Sequence, residues 1–327
     1  AHALRLGLRR FAGANRPDVI VGSVPGLPTL PAALALGRGL RRPVVVELRD
    51  AWPDILASAA NWGSSPGRAG SRWSRVRRAA LSGVRDAIPP VVTRLEREAA
   101  AIVTTTDSFA RVLRGRGMGR VVTVRNTAVP RDWALPAVPR EQPDEALHVL
   151  YLGTVGRAQG LRSAVRAAAL ARAQGTRMVL RIVGEGADLA PTRHEAEELG
   201  APVEILPMVP ADRVAAHYAW ADSVLVSLQD WPSMELTVPS KLYEVMATGR
   251  HVSVAAAGAA GRIVKASRSG DVVPPQDPAA LARLWQELAA DRDRLVVTGG
   301  RPWLEAHASC SALLDRYEAV LERTAHA

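Results

Sequence analysis

Thr237–Val252 reads TVPSKLYEVMATGRHV, a helix framed by its own punctuation. Pro239 is placed for the first helical position, where a missing N–H does no harm. Gly249 is placed for the left-handed residue that ends a helix. Leu242, Val245 and Met246 recur at i, i+3 and i+4 and predict a buried stripe, with Lys241 and Glu244 lying off it. Two uses of that pair stand side by side. The open amino end of a helix attracts anions through its unpaired N–H groups, so it can hold a phosphate while Glu244, one turn in, accepts from sugar hydroxyls. Equally, Lys241 and Glu244 can simply pair on the surface of an amphipathic helix.

Working outward, short β-branched runs alternate with helical stretches. After a proline-rich, acid-dotted linker at Pro130–Glu145, strands are predicted over 147–152, 177–183, 203–206, 223–228, 251–255 and near Val272. Helices are predicted over 160–174, 190–199, 211–219, 239–248, 278–290 and 303–324. Before the linker, runs at 18–23, 43–48, 101–105 and 121–125 read as four more strands with helices between them. Strand, crossover helix and strand in succession specify parallel sheets. The fold class predicted is therefore α/β, two Rossmann-like doubly wound domains in tandem, with ligands at the carboxyl ends of the strands in the cleft they face.

Composition agrees with a globular chain: 327 residues, 48% hydrophobic and 23% charged. No apolar run approaches the ~18 residues that cross a bilayer. A single cysteine, Cys310, excludes a disulfide framework or thiolate metal cluster, and no signal peptide is evident, so a cytoplasmic location is expected. The seven histidines have no metal-ligand spacing, so no metal or other cofactor is expected. The net charge of +10 is mostly arginine, lysine occurring only at Lys241 and Lys265. Local charge is more telling. Arg68, Arg72, Arg75, Arg77, Arg78 and Arg85 follow one another without an acid, with Trp62 and Trp73 alongside. That composition suits a helix on an anionic membrane surface and equally a solvated helix face; nucleic acid is disfavoured, since no recognised binding motif accompanies it. A nicotinamide enzyme is disfavoured too, because no G-x-G-x-x-G follows an early strand.

The succession RPDVIVGSVP from Arg16, PVVVELRDAWPDIL from Pro43, AIVTTTDSFARVL from Ala101, VTVRNTAV from Val122, YLGTVGRAQGL from Tyr151, LRIVGEGAD from Leu180, SKLYEVMATGRHV from Ser240 and SGDVVPPQDPAALA from Ser269 resembles glycosyltransferase family 4. These are retaining enzymes of GT-B fold that take a sugar from a nucleotide donor. The ELRDAWPD and GRAQG forms resemble the branch that builds bacterial surface polysaccharides. The resemblance implies a UDP-sugar donor, a glycan, lipid-linked or small aglycone acceptor, and a peripheral position at the inner membrane. It also implies domains at 1–140, completed by a terminal helix 303–327, and at 145–302, the first lacking its opening elements. A catalytically incomplete scaffold that binds nucleotide sugar or a partner protein is the alternative.

Residue by residue, Glu244 matches the second glutamate of the family's E-x7-E element and is expected at the donor ribose. The first is absent: position 236 is Leu and Glu235 is out of register. The backbone of Thr237 and Val238 is expected to contact the donor sugar instead. Gly153–Gly160 matches the phosphate loop, with Arg157 and Gln159 before Gly160 where the family has Lys-Gly. Arg157 is expected at the diphosphate, or is a solvated loop arginine; Lys241 assists it or pairs locally. Gly184 and Gly186 are expected to let the backbone approach the nucleotide. In the first domain Arg49 and Asp50 match the family's His-Asp as catalytic candidates. Asp50 orients the acceptor hydroxyl, or pairs with an arginine and caps the following helix. Ser23 and Asn126 end strands on the acceptor side, Asn126 as a possible turn residue.

Overall fold

The β-branched runs become strands because, buried on both faces, they satisfy their backbone only by pairing with each other. A computed structural model describes residues 2–11, 16–55, 88–128, 135 and 146–326. The basic run Arg68–Arg85 and most of the linker Pro130–Glu145 lie outside the described residues. The chain forms two units, Ala1–Arg125 with Ser311–Ala327, and Asn126–Cys310.

In the first unit β1 (Ile20–Ser23), β2 (Val44–Leu48), β3 (Ala101–Thr104) and β4 (Val121–Thr123) form a parallel sheet in the order β1-β2-β3-β4. Strands β2 and β3 are buried almost throughout, whereas β1 alternates, leaving Val21 exposed. The terminal helix Cys310–Ala325 returns to this sheet and sets Val320 against Val45, Ala101 and Val103. Beneath it all lies an unusual acid. Glu96 is fully buried, and among the described residues neither carboxyl oxygen has a hydrogen-bond partner. Burial pushes its carboxyl up to about 8; the Arg116 guanidinium opposes this shift and Asp54 adds to it. Arg116 is already engaged, donating to Asp54 Oδ1.

In the second unit β5 (Leu147–Leu152), β6 (Met178–Val183), β7 (Val203–Leu206), β8 (Ser223–Ser227), β9 (His251–Ala255) and β10 (Gly270–Val273) form a parallel sheet in the order β10-β9-β8-β5-β6-β7. The winding reverses between β5 and β8, which makes the carboxyl ends of those strands the place where crossover helices part and a ligand can enter. One side of the core is a helix pair. Leu161–Ala173 presents Ala164, Ala167, Ala168 and Ala171, whose small size lets Trp285 and Leu288 of Pro278–Ala290 pack closely.

At the opposite, amino ends of the strands three polar residues bond to one another. Ser223 Oγ lies 2.9 Å from His251 Nδ1, and His251 Nε2 lies 3.1 Å from Asp271 Oδ2. This has the composition of a hydrolytic triad without its function, because Ser223 and His251 are both fully buried. Its role is to staple β8, β9 and β10. The hydrogen bond from His251 and the Arg294 charge hold the Asp271 carboxyl below its ordinary range.

Three sequence expectations are corrected. Pro239 is not the first helical residue but the N-cap of Ser240–Thr248, with φ −58° and ψ 133°. A further helix, Gly258–Ser267, stands where none was expected between β9 and β10. Its buried positions are Ala259, Ala260, Gly261, Val264 and Ser267, mostly too small to produce a hydrophobic period. The single helix expected over 303–324 is two, Gly300–His307 and Cys310–Ala325. The break at Ala308 is held by Thr127, whose hydroxyl donates to the Ala308 carbonyl, and it falls where the chain passes from the second unit to the first.

Candidate functional site

Three strands of the second unit end in glycine or a short apolar turn, and their ladder continues one residue further. Gly153 N–H donates to Val183 O at 3.0 Å, and Gly184 N–H donates to Leu206 O at 3.1 Å. The two glycine-bearing turns thus press together. Gly184 has φ +153°, and a Cβ there would sit 1.8 Å from the Gly153 carbonyl oxygen; one at Gly186 would sit 2.3 Å from Val155 O. The close approach that these glycines permit is turn against turn. Tyr151 braces the same turn, its hydroxyl donating to Thr154 O at 2.6 Å, and burial raises the phenol well above its ordinary range.

Against this floor opens a cavity of about 310 Å³, lined by Leu152, Gly153, Thr154, Val183 and Gly184 on one side and by Met208, Val209, Ala211 and Val214 on another. Lys241 and Glu244 close it. Its volume is at the small end of the range for ligand sites. Met208 is 58% exposed at the rim, an apolar surface with nothing else in the unit to cover it among the described residues.

The helix Ser240–Thr248 delivers Glu244 because its other faces are committed. Leu242, Tyr243, Val245 and Met246 are all fully buried, and Gly249 at φ +75° ends the helix as its left-handed cap. Glu244 is held on both oxygens. Lys241 Nζ donates to Oε2 at 3.1 Å, and Tyr218 Oη donates to Oε1 at 2.9 Å. The local pair and the cavity position are therefore not alternatives; the same two residues do both.

Of the residues singled out from sequence, the cavity brings together Gly153, Gly184, Lys241 and Glu244. It does not include Arg157, Gln159, Gly160, Thr237 or Val238. Arg157 opens a 3₁₀ turn, Arg157–Gln159, and is exposed; its charge, like that of Arg162, opposes the rise that burial causes in the Asp188 carboxyl. Gln159 Oε1 accepts from Gly156 N–H at 3.1 Å, and Gly160, at φ +59°, starts the helix Leu161–Ala173. The Thr237 hydroxyl donates to Ser233 O at 3.2 Å, while the buried Val238 offers its carbonyl to Asn126 Nδ2 at 3.5 Å. Asn126 thus meets backbone.

In the first unit Asp50 lies just past the carboxyl end of β2, half-buried. Burial raises its carboxyl above the ordinary range, and the Arg49 charge opposes the rise. Arg49 itself is exposed and donates to Glu47 Oε1 at 3.1 Å. The amide of Trp52 donates to the Asp50 main-chain carbonyl at 2.8 Å. Ser23 closes β1, in register with Glu47. Among the described residues no group of three or more His, Cys, Asp or Glu side chains is placed to hold a metal ion, and no helix is long and apolar enough to cross a membrane.

A two-sheet α/β chain of this kind, with its smaller sheet first and its larger sheet in the 3-2-1-4-5-6 winding, has the GT-B fold. Residues 146–291 match the family model described as glycosyl transferases group 1. Among curated proteins it is similar to WcaI of Escherichia coli (strain K12), assigned to colanic acid biosynthesis as a glycosyl transferase. The two are 23% identical over 256 residues, covering 74% of this chain. The match spans little more than half of WcaI, 58% of its length. Among solved structures, Anabaena Alr3699/HepE in complex with UDP and glucose superposes with a TM-score of 0.72 at 15% identity, covering 98% of this chain and 81% of that one. Sucrose-phosphate synthase from Thermosynechococcus elongatus gives 0.69 at 17% identity, covering 98% and 78%.

Proposed function

We propose that the chain binds a UDP-sugar in the cavity of its second unit and transfers the sugar, with retention of configuration, to a glycan, lipid-linked or small aglycone acceptor. The observation that carries this reading is the doubly held Glu244 carboxylate facing two pressed glycine turns at the winding reversal of a group 1 domain. HepE, which shares the fold, is solved with UDP-glucose. Glu244 accepts from the ribose hydroxyls, and the apolar wall of Met208, Val209 and Val214 takes the base. The diphosphate lies toward the amino end of Ser240–Thr248, whose first N–H groups lack helical partners, with Lys241 and Arg157 as its cations.

In the transfer, the bond from the anomeric carbon to the departing diphosphate oxygen breaks as the bond to the acceptor oxygen forms. The acceptor's proton passes to that diphosphate oxygen. The enzyme's task is to hold growing negative charge on phosphate, which fixed donors do well where water is scarce. Asp50 orients the acceptor hydroxyl. Support for a glycan acceptor comes from WcaI and its assignment to colanic acid biosynthesis, and the Arg68–Arg85 run is the segment proposed to meet an anionic membrane surface.

Calorimetric titration with UDP and GDP tests the donor half. UDP is expected to bind and GDP to bind more weakly, and Glu244→Gln is expected to weaken UDP by roughly 30-fold, the range for a hydrogen bond to a charged group. Asp50→Asn is expected to leave UDP affinity within about twofold while lowering transfer at least tenfold. No UDP binding, or a silent Glu244→Gln, refutes the donor site; an Asp50→Asn variant with full transfer removes Asp50 from the mechanism, and a wild-type chain that binds UDP but transfers no sugar favours a scaffold.

A further inference from the structure

The carboxylate assigned to the ribose is not free to rotate, and the group that restrains it comes from a different wall of the cavity. Tyr218 is fully buried, 26 residues before Glu244 in sequence, on the helix Val214–Trp220. That helix begins at Val214, a residue of the apolar cavity wall. Its carboxyl end is pinned in turn, because the buried Arg250 donates from Nε to the Tyr218 carbonyl at 2.9 Å. Tyr218 is thus fixed at its main chain by Arg250 and spends its hydroxyl on Glu244 Oε1.

Resting on the donor-site reading above, we propose that Tyr218 is a positioning residue for recognition of the ribose hydroxyls. Its hydroxyl takes one acceptor direction of Glu244 Oε1, as Lys241 takes one of Oε2, and the carboxylate plane is locked. A ribose then meets a carboxylate whose remaining lone pairs already point into the cavity, so little rotamer entropy is lost on binding. Because Tyr218 stands on the helix that carries the Val214 wall, it also sets the distance between that wall and the carboxylate. This is the span a nucleoside must bridge from base to sugar.

The test compares UDP with 2′-deoxy-UDP on the full chain. Wild type is expected to prefer UDP by tenfold or more. Tyr218→Phe is expected to lose five- to tenfold in UDP affinity while 2′-deoxy-UDP changes less than twofold, so the preference shrinks. In a Glu244→Gln background the same Tyr218→Phe change is expected to have less than a twofold effect, since the two residues act as one unit. If Tyr218→Phe weakens both nucleotides alike, or if its effect adds in full to that of Glu244→Gln, Tyr218 only supports the fold and the proposal is overturned. A wild-type chain that binds UDP and 2′-deoxy-UDP equally overturns the Glu244 assignment itself, an outcome separate from failure at Tyr218.

Discussion

Gly184→Ala is expected to unfold or badly loosen the second unit, with a loss of about 4 kcal/mol when backbone strain and overpacking are taken together. The added Cβ would stand 1.8 Å from the Gly153 carbonyl oxygen, backbone that is itself fixed by the bond from Gly153 N–H to Val183 O. A flexible side chain could swing aside; a strand-end carbonyl cannot do so without breaking the ladder. The φ of +153° adds strain for any residue with a Cβ. Urea unfolding followed by the tryptophans of the second unit reads the effect. Gly175→Ala provides the comparison in the same unit: its φ is also positive, +88°, but a Cβ there meets nothing within 4 Å. It should lose about 1 kcal/mol. Equal, small losses at both positions contradict the packed-turn account.

Glu96→Gln is expected to change how stability depends on pH. The folded-state carboxyl titrates near 8, against an ordinary value of 4.5. Between those values the native chain keeps a proton that the unfolded chain has released, so stability is greatest at the acid side and falls as pH rises, by about 1.4 kcal/mol per unit. From pH 5 to 8 the full effect of one such group is about 4 kcal/mol. Glutamine presents a neutral polar group of the same shape at every pH. The variant should therefore match wild type near pH 5 and exceed it increasingly toward pH 8, as measured by unfolding midpoints. Asp50 and Asp188 are raised by burial too, and since they are common to both proteins they cancel in the difference. Parallel pH profiles would show that Glu96 ionises freely in the folded chain.

Much of the second unit was legible in the chain. Leu242, Val245 and Met246 announced a buried stripe and are fully buried, and Gly249 announced a helix end and adopts the left-handed cap. Both signals are local, since a helix period and a positive φ depend on residues within one or two turns. What sequence missed had no local signal. Gly258–Ser267 hides behind small residues that pack without advertising a period. Pro239 shifted by one position because its ψ of 133° leaves it outside the helix, although its φ of −58° is one a first helical residue also has. Tyr218 was invisible as a site residue because its hydroxyl meets Glu244 across 26 residues of chain.

By itself the sequence determined the alternation of strand and helix, the parallel class that follows from it, and the glycines that end strands at the site. Those depend on hydrophobic period and backbone freedom, properties of neighbours along the chain. Only the tertiary structure decided which residues share a cavity. It placed Lys241 and Glu244 beside Gly153 and Gly184, left Arg157 near Asp188, and packed Gly184 and Gly186 against the backbone of Gly153 and Val155. The physical reason is that strand order, set by the long-range packing of buried strands and helices, decides which loops meet; no run of adjacent residues encodes it.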